Sequence, residues 1–211
     1  MKICTLCPRM CAVDRKSGER GICGQTTEIK VARAALHFWE EPCISGEMGS
    51  GAVFFSGCAL HCVFCQNENI ANGTAGKVIS TERLGKIFLE LQEKGANNIN
   101  LVTPGQFVPQ IIKAVELARN QNLKIPIVYN TSSYENVDTI RSLEGIVDIY
   151  LPDFKYFDTA LSAKYSHAPD YPAVAKAVIA EMVRQTGAAV FENGEDSLMK
   201  RGTIVRHLIL P

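Results

Sequence analysis

The stretch AVFFSGCALHCVFCQN, residues 52–67, places a short apolar run directly before three cysteines in eight positions. The apolar run at 52–56, followed by Gly57, predicts a buried β-strand. Cys58, Cys62 and Cys65 then fall in the loop after that strand. A disulfide needs two thiols, whereas a group of three is typical of zinc or iron–sulfur ligation. Three protein ligands leave one coordination position open, so the pattern predicts a metal site that admits another molecule.

The type of metal is less strongly determined by this spacing than its presence. His61 is an awkward fourth zinc ligand, because it lies between Cys58 and Cys62 in the same turn. We therefore favour an iron–sulfur cluster over zinc at this loop.

Composition excludes several classes of function. The 211 residues carry 22 Lys and Arg against 22 Asp and Glu, a formal net charge of zero. That balance argues against non-specific electrostatic binding to nucleic acid or to an anionic membrane. No apolar stretch is long enough to span a bilayer, and the N-terminus lacks the apolar core of a signal peptide. We expect a cytoplasmic protein with neither nucleic acid nor membrane as a partner.

The cysteines are concentrated at the start of the chain. All eight lie within the first 65 residues, and in a reducing compartment such clusters are more often metal ligands than disulfides. We divide the chain into a Cys-rich segment, residues 1–45, and a core, residues 46–211. Within the segment, a second metal site holding zinc or an auxiliary iron–sulfur cluster is predicted from four residues: Cys4, Cys7, Cys11 and Cys23. The alternative is that these are unligated buried thiols, which is our interpretation of Cys43.

The remaining pattern alternates strands and helices, which indicates an α/β fold with a parallel sheet. Strands are predicted at 28–39, 52–56, 98–102, 125–130, 146–151 and 203–210. Helices are predicted at 80–95, 109–120, 133–145, 158–166 and 172–187, and a hairpin turn at Asn193–Gly194. Polar clusters follow four of the strands, beginning at Cys58, Thr103, Asn130 and Asp153. Because the carboxyl ends of parallel strands meet at one edge, we expect one shared site there.

At this point the residues carry a resemblance. The arrangement Cys58-x3-Cys62-x2-Cys65 after a first strand, with Phe64 before the last cysteine, resembles the signature of the radical S-adenosylmethionine (radical SAM) superfamily. Five further stretches are similar to its pyruvate formate-lyase activating enzyme-like subgroup: VARAALHFWEEPCISG, LVTPGQFVPQI, VYNTSSYE, YLPDFKY and IVRHLILP. The resemblance covers essentially the whole chain.

The resemblance implies a [4Fe-4S] cluster held by Cys58, Cys62 and Cys65, with the fourth iron chelated by SAM. It implies reductive cleavage of SAM to a 5′-deoxyadenosyl radical that abstracts hydrogen from a substrate. The residues placed by it near SAM or substrate are Phe64, Thr103, Gln106, Asn130, Thr131, Asp153 and Lys155. The family binds the SAM amino group with a Gly-Gly-Glu-type segment after the second strand. Here that segment reads TPGQ, residues 103–106, and contains no carboxylate.

The family also implies a partial (β/α)6 barrel and a set of partners. The chain stops at LILP, so we expect a barrel truncated after its fifth strand. An electron donor such as flavodoxin or ferredoxin is expected, and the subgroup suggests activation of a glycyl radical enzyme. The alternatives are a radical SAM enzyme acting on a small molecule or another peptide, a non-catalytic iron–sulfur electron carrier, and a zinc-stapled binding module.

Overall fold

The computed structural model describes residues 3–192 and 197–209, and its centre is one eight-stranded sheet. The strands are β1 (Ile29–His37), β2 (Ser50–Phe55), β3 (Lys77–Ile79), β4 (Ile99–Val102), β5 (Ile127–Thr131), β6 (Ile149–Pro152), β7 (Val190–Phe191) and β8 (Met199–Thr203). Their order is β3-β1-β2-β4-β5-β6-β8-β7. The run from β2 through β4, β5 and β6 to β8 is parallel, whereas β1, β3 and β7 pair antiparallel at the ends.

Seven helices accompany the strands in the described part of the chain. They are α1 (Pro42–Ser45), α2 (Glu68–Ala71), α3 (Thr81–Glu93), α4 (Val108–Arg119), α5 (Val137–Arg141), α6 (Thr159–Ser166) and α7 (Tyr171–Thr186). The start of α3 is fixed by Ser80, whose hydroxyl accepts a hydrogen bond from the backbone N–H of Arg83 at 3.1 Å.

The two faces of the sheet bury different residues. The outer face packs against α3, α4 and α7 and forms the main core through Val53, Leu101, Tyr129 and Tyr150. The inner face alternates with it, placing Ala52, Asn100, Val128 and Ile149 in register across four strands. Ile44 of the short helix α1 packs on this inner face against Val128 and Ile149. The segment between β1 and β2 therefore covers part of this face of the sheet.

The expected α/β fold with a parallel sheet is confirmed. The chain order leaves β3 and β7 at opposite ends, and no pair joins them in the described residues, so the sheet is open. Truncation relative to the family stays a prediction. Within residues 3–192 and 197–209, no helix is long and apolar enough to cross a membrane.

Two predicted elements differ from the structure. The last strand was expected at 203–210, but β8 ends at Thr203. Its neighbour β6 ends at Pro152, which has no N–H to donate, so only the bridge between Asp153 and Arg206 continues the ladder. The helix expected at 133–145 is reduced to α5, because Ser133 adopts a left-handed φ of 63° that helices exclude. The Asn193–Gly194 turn lies outside the described residues.

Candidate functional site

The loops that follow the parallel strands meet at one edge of the sheet. The side-chain amide of Gln106, after β4, donates to the carbonyls of Ser56 and Gly57, after β2, at 2.9 and 3.0 Å. The backbone N–H of Asp153, after β6, donates to the carbonyl of Thr131, the last residue of β5, at 2.8 Å. The structure thus brings together the four polar clusters that the sequence placed at strand ends.

The cysteine loop, residues 56–67, leaves β2 through a conformation that requires glycine. Gly57 has φ of +88°, and an added Cβ would lie 2.4 Å from the carbonyl oxygen of Cys23. The Cys58 sulfur accepts the backbone N–H of Leu60 at 3.4 Å. Burial raises the pKa of the Cys58 thiol, and the nearby Cys62 and Cys65 raise it further. The three thiols therefore act on one another electrostatically within this loop.

An aromatic wall lies beside the loop. Phe64 and Cys62 pack with a buried cluster around Tyr156 and Tyr171. The Phe64 and Tyr156 rings meet edge-on, with centroids 6.1 Å apart. The Tyr171 hydroxyl donates to the carbonyls of Ser132 and Asp153, both at 2.8 Å, which ties the loops after β5 and β6 together.

Asn130 and Asp153 belong to a charge network that sequence reasoning missed in part. Arg206 donates through Nε to Asp153 at 2.8 Å and through Nη2 to Asn130 at 2.6 Å, and its Nη1 lies 3.5 Å from Glu40. Lys155 pairs with the other Asp153 oxygen at 2.6 Å. Burial raises the pKa of Glu40, against the lowering effect of Arg206.

The register of the last strand decided which basic residue reaches this network. The strand predicted at 203–210 includes Arg206, but the sequence does not give its register against β6. The bridge between Asp153 and Arg206 sets that register and brings Arg206 to the network. Its neighbour His207 is exposed.

Thr103 and Gln106 lie at the edge, and the side-chain amide of Gln106 is occupied by loop carbonyls. Besides Ser56 and Gly57, its Nε2 donates to the Thr103 carbonyl at 2.9 Å. Thr103 has a left-handed φ of 54°, a conformation that non-glycine residues adopt mainly at constrained sites. The amide of Gln106 thus holds the cysteine loop against the loop after β4.

A carboxyl group that was not predicted lies beside TPGQ. Glu135 is 4% exposed, and its Oε1 accepts the hydroxyls of Thr131 at 2.7 Å and Tyr129 at 3.0 Å. Its Oε2 has no hydrogen-bond partner among the described residues. Burial raises the pKa of Glu135 to about 7, although the two hydroxyl donors lower it.

The Cys-rich segment packs over the cysteine loop. Arg9 donates to the Ala59 carbonyl at 2.8 Å, and the His61 ring nitrogen lies 3.0 Å from the carbonyl oxygen of Ile22. Cys4, Cys7 and Cys23 line one narrow cavity together with Cys58 of the cysteine loop. Burial raises the pKa of Cys23, and raises that of Cys7 to about 12. Cys11 lies apart from this lining and accepts the backbone N–H of Ile22 at 3.4 Å.

The three thiols of the cysteine loop suit an iron–sulfur cluster, because each can bind a different iron. Across residues 3–192 and 197–209, no three His, Cys, Asp or Glu side chains are arranged to hold one ion. A zinc ion needs its sulfur ligands about 2.3 Å from one point. The thiolates of an iron–sulfur cluster bind different irons, so they need not converge on one point. The N–H donated to Cys58 is also of the kind that tunes such clusters.

Comparison with known proteins agrees with the interpretation of these three cysteines as cluster ligands. The family model described as the radical SAM superfamily matches residues 52–184, more than half of the chain. The chain is also similar to the uncharacterized protein MJ0674 of Methanocaldococcus jannaschii, with 27% identity over 217 residues. That match covers 100% of this chain and 57% of the relative, so the chain spans little more than half of the relative's length.

Proposed function

The chain belongs to the radical SAM superfamily, and from this premise we propose that it reductively cleaves SAM to abstract a hydrogen atom from a substrate. Membership implies a [4Fe-4S] cluster and SAM as cofactors. The observation that carries the proposal is the cysteine loop, whose three thiols lie at the carboxyl end of β2 beside the polar ends of β4, β5 and β6.

The chain's own residues would divide the work as follows. Cys58, Cys62 and Cys65 would hold the cluster, which supplies the electron for SAM cleavage when it is reduced. The aromatic wall at Phe64 and Tyr156 excludes water from one side of the loop. Asn130, Thr131, Asp153 and Lys155 offer polar groups to SAM or substrate at the same edge, and Thr103 and Gln106 shape the adjoining loop.

The substrate and partners are finer proposals that rest on the resemblance alone. The resemblance favours activation of a glycyl radical enzyme, with flavodoxin or ferredoxin as electron donor in the cytoplasm. The comparisons add no support to this choice, because the relative is itself uncharacterized. A second site at Cys4, Cys7, Cys11 and Cys23, holding zinc or an auxiliary cluster, is likewise a proposal. Three of the four line one cavity, although no three of them are arranged to hold a single ion in the described residues.

The test is electron paramagnetic resonance on anaerobically reconstituted protein, reduced with dithionite and recorded with and without SAM. We expect a reduced [4Fe-4S] signal that changes when SAM is added. Cys62→Ala should lose that SAM-dependent signal, whereas Cys43→Ala, a cysteine outside the loop, should keep it.

Two results would contradict the proposal. An iron signal that ignores SAM would favour the electron-carrier alternative. Zinc without iron at the cysteine loop would favour the binding module.

A further inference from the structure

Glu135 lines the cavity beside the cysteine loop, and one of its carboxylate oxygens, Oε2, is buried without a hydrogen-bond partner among the described residues. The cavity is lined by Cys58, Thr103, Gly105, Gln106, Thr131 and Glu135 on the sheet side, and by residues of the Cys-rich segment on the other. Buried polar atoms are nearly always hydrogen-bonded, so an orphaned one points to a missing partner. A buried carboxylate without a partner also costs more than most unpaired groups.

Gly105, which has no side chain, leaves the space that the Glu135 carboxylate occupies. A Cβ added to Gly105 would lie 2.6 Å from Glu135 Oε2, so any larger residue there would force the carboxylate to shift. Thr131 and Tyr129 hold Oε1 and thereby direct Oε2 away from themselves. These contacts hold the Glu135 carboxylate in one place, beside the segment TPGQ. That segment contains no acidic residue.

The opposite charge is present on the same cavity. Arg15 is 5% exposed, lines the cavity and donates to the Gln106 carbonyl at 2.8 Å. Neither Arg15 nor Glu135 forms an ion pair within the part of the chain that the structure describes. Arg15 also donates to the carbonyls of Gln25 and Thr26, so it supplies positive charge to the cavity, whereas Oε2 of Glu135 is an acceptor without a donor. A free acceptor beside a buried cation suits a ligand that carries a cationic group next to an anionic one. The amino-acid end of SAM has an amino group and a carboxylate on one carbon.

We propose that Glu135 accepts a hydrogen bond from the amino group of SAM, replacing the acidic residue that TPGQ lacks. The inference rests on the proposed function, because it assigns a residue within the same site. It makes Glu135 a binding residue for the amino-acid end of SAM, contributed by the loop after β5 instead of the loop after β4.

The test measures equilibrium binding of SAM and of 5′-methylthioadenosine to the anaerobically reconstituted protein. The second ligand keeps the adenosine and sulfur but has no amino-acid end. Glu135→Gln should weaken SAM binding by about 10- to 100-fold, as expected for a lost hydrogen bond to a charged group. Binding of methylthioadenosine should be unchanged, which also shows that the variant is folded.

A second variant and a control sharpen the result. Gly105→Ala, which would push Glu135 aside, should weaken SAM binding in the same selective way. Glu144→Gln removes an exposed carboxylate that pairs with Arg184 elsewhere, and it should bind both ligands normally.

Three results would overturn the inference. Glu135→Gln could bind SAM as well as the wild type does, which would leave its orphaned oxygen to a water molecule. It could lose both ligands equally, or lose metal from the Cys-rich segment while SAM binding persists. If the wild-type protein itself fails to bind SAM, the proposed function fails first and this inference with it.

Discussion

Gly57 shows how a single residue can set the position of the cysteine loop. Its left-handed φ and its approach to the Cys23 carbonyl are separate constraints. Gly145 shares only the first, with φ of +76° and no atom within 4 Å of an added Cβ. The two glycines therefore form a matched pair.

We predict that Gly57→Ala destabilises the protein far more than Gly145→Ala. The strain of a left-handed alanine costs about 1–2 kcal/mol at either position. At Gly57 the clash with a backbone oxygen should add at least about 2 kcal/mol and reduce iron incorporation. Urea unfolding of the apoprotein and iron counting after reconstitution measure both effects. Equal losses in the two variants would contradict the role of the Cys23 contact.

The buried carboxyl of Glu135 predicts a pH dependence of stability. Its pKa is about 7 in the folded protein and about 4.3 in an unfolded chain. Between these values the folded state keeps a proton that the unfolded state has lost, so the free energy of unfolding falls as pH rises. The change in the free energy of unfolding over this whole pH range amounts to about 4 kcal/mol.

Glu135→Gln should flatten this slope between pH 4.5 and 7. Urea unfolding of the apoprotein at several pH values should show the free energy of unfolding of the variant rising relative to that of the wild type as pH rises. Glu144→Gln should follow the wild-type curve, and an unchanged slope in Glu135→Gln would sink the prediction.

At the scale of elements, the Cys-rich segment is joined to the cysteine loop by side chains. Arg9 donates to the carbonyls of Ala59, Ser166 and His167, and its guanidinium lies 5.0 Å from the centre of the Tyr134 ring. It therefore links the segment to the loop and to the end of α6. Arg20, in the same segment, donates only locally to Gly24 at 3.0 Å.

We predict that Arg9→Ala loosens the cysteine loop whereas Arg20→Ala does not. Removing the Arg9 guanidinium leaves three carbonyls without their donor, which should lower the free energy of unfolding by about 2 kcal/mol. Amide hydrogen exchange of peptides covering residues 56–67 should rise in Arg9→Ala alone. If exchange rises equally in both variants, or in neither, the arginine is not the link.

Elements were predictable where local chemistry determines them. The helix α3 follows from Ser80 as its cap and from the apolar spacing of Leu84, Phe88 and Leu91, all of which are buried. The end of β8 was not predictable in this way. Its apolar pattern continues through Val205, Leu208 and Ile209, yet these side chains are exposed because the neighbouring strand has already ended.

For the whole molecule, the cysteine loop could be found from the sequence, and most of its surroundings could not. Three cysteines in eight positions carry their own signal, because the ligands are close in the chain. Glu135 lies at least 68 residues from the cysteine loop in the sequence, and Glu40 lies 166 residues from Arg206. Such contacts depend on the arrangement of strands, which no local pattern records.

Arg206 connects distant parts of the sheet, and it gives a prediction at this scale. Its guanidinium joins the segment after β8 to Asn130 of β5, to Asp153 after β6 and to Glu40 before α1. Arg206→Met would leave the largely buried carboxylate of Glu40 without its cation and should cost about 2–3 kcal/mol. Glu40→Gln should cost less, because a neutral amide is cheaper to bury.

The double variant tests whether these residues act as a unit. If they do, Arg206→Met combined with Glu40→Gln costs at least about 1 kcal/mol less than the sum of the single variants. The exposed pair Arg83 and Glu90, 2.5 Å apart on α3, is the control and should couple by less than about 1 kcal/mol. Additive losses at Arg206 and Glu40 would mean that the network packs side chains together without electrostatic coupling. Because the network spans β5, β6 and the chain after β8, coupling would show that the last segment stabilises the site across the sheet.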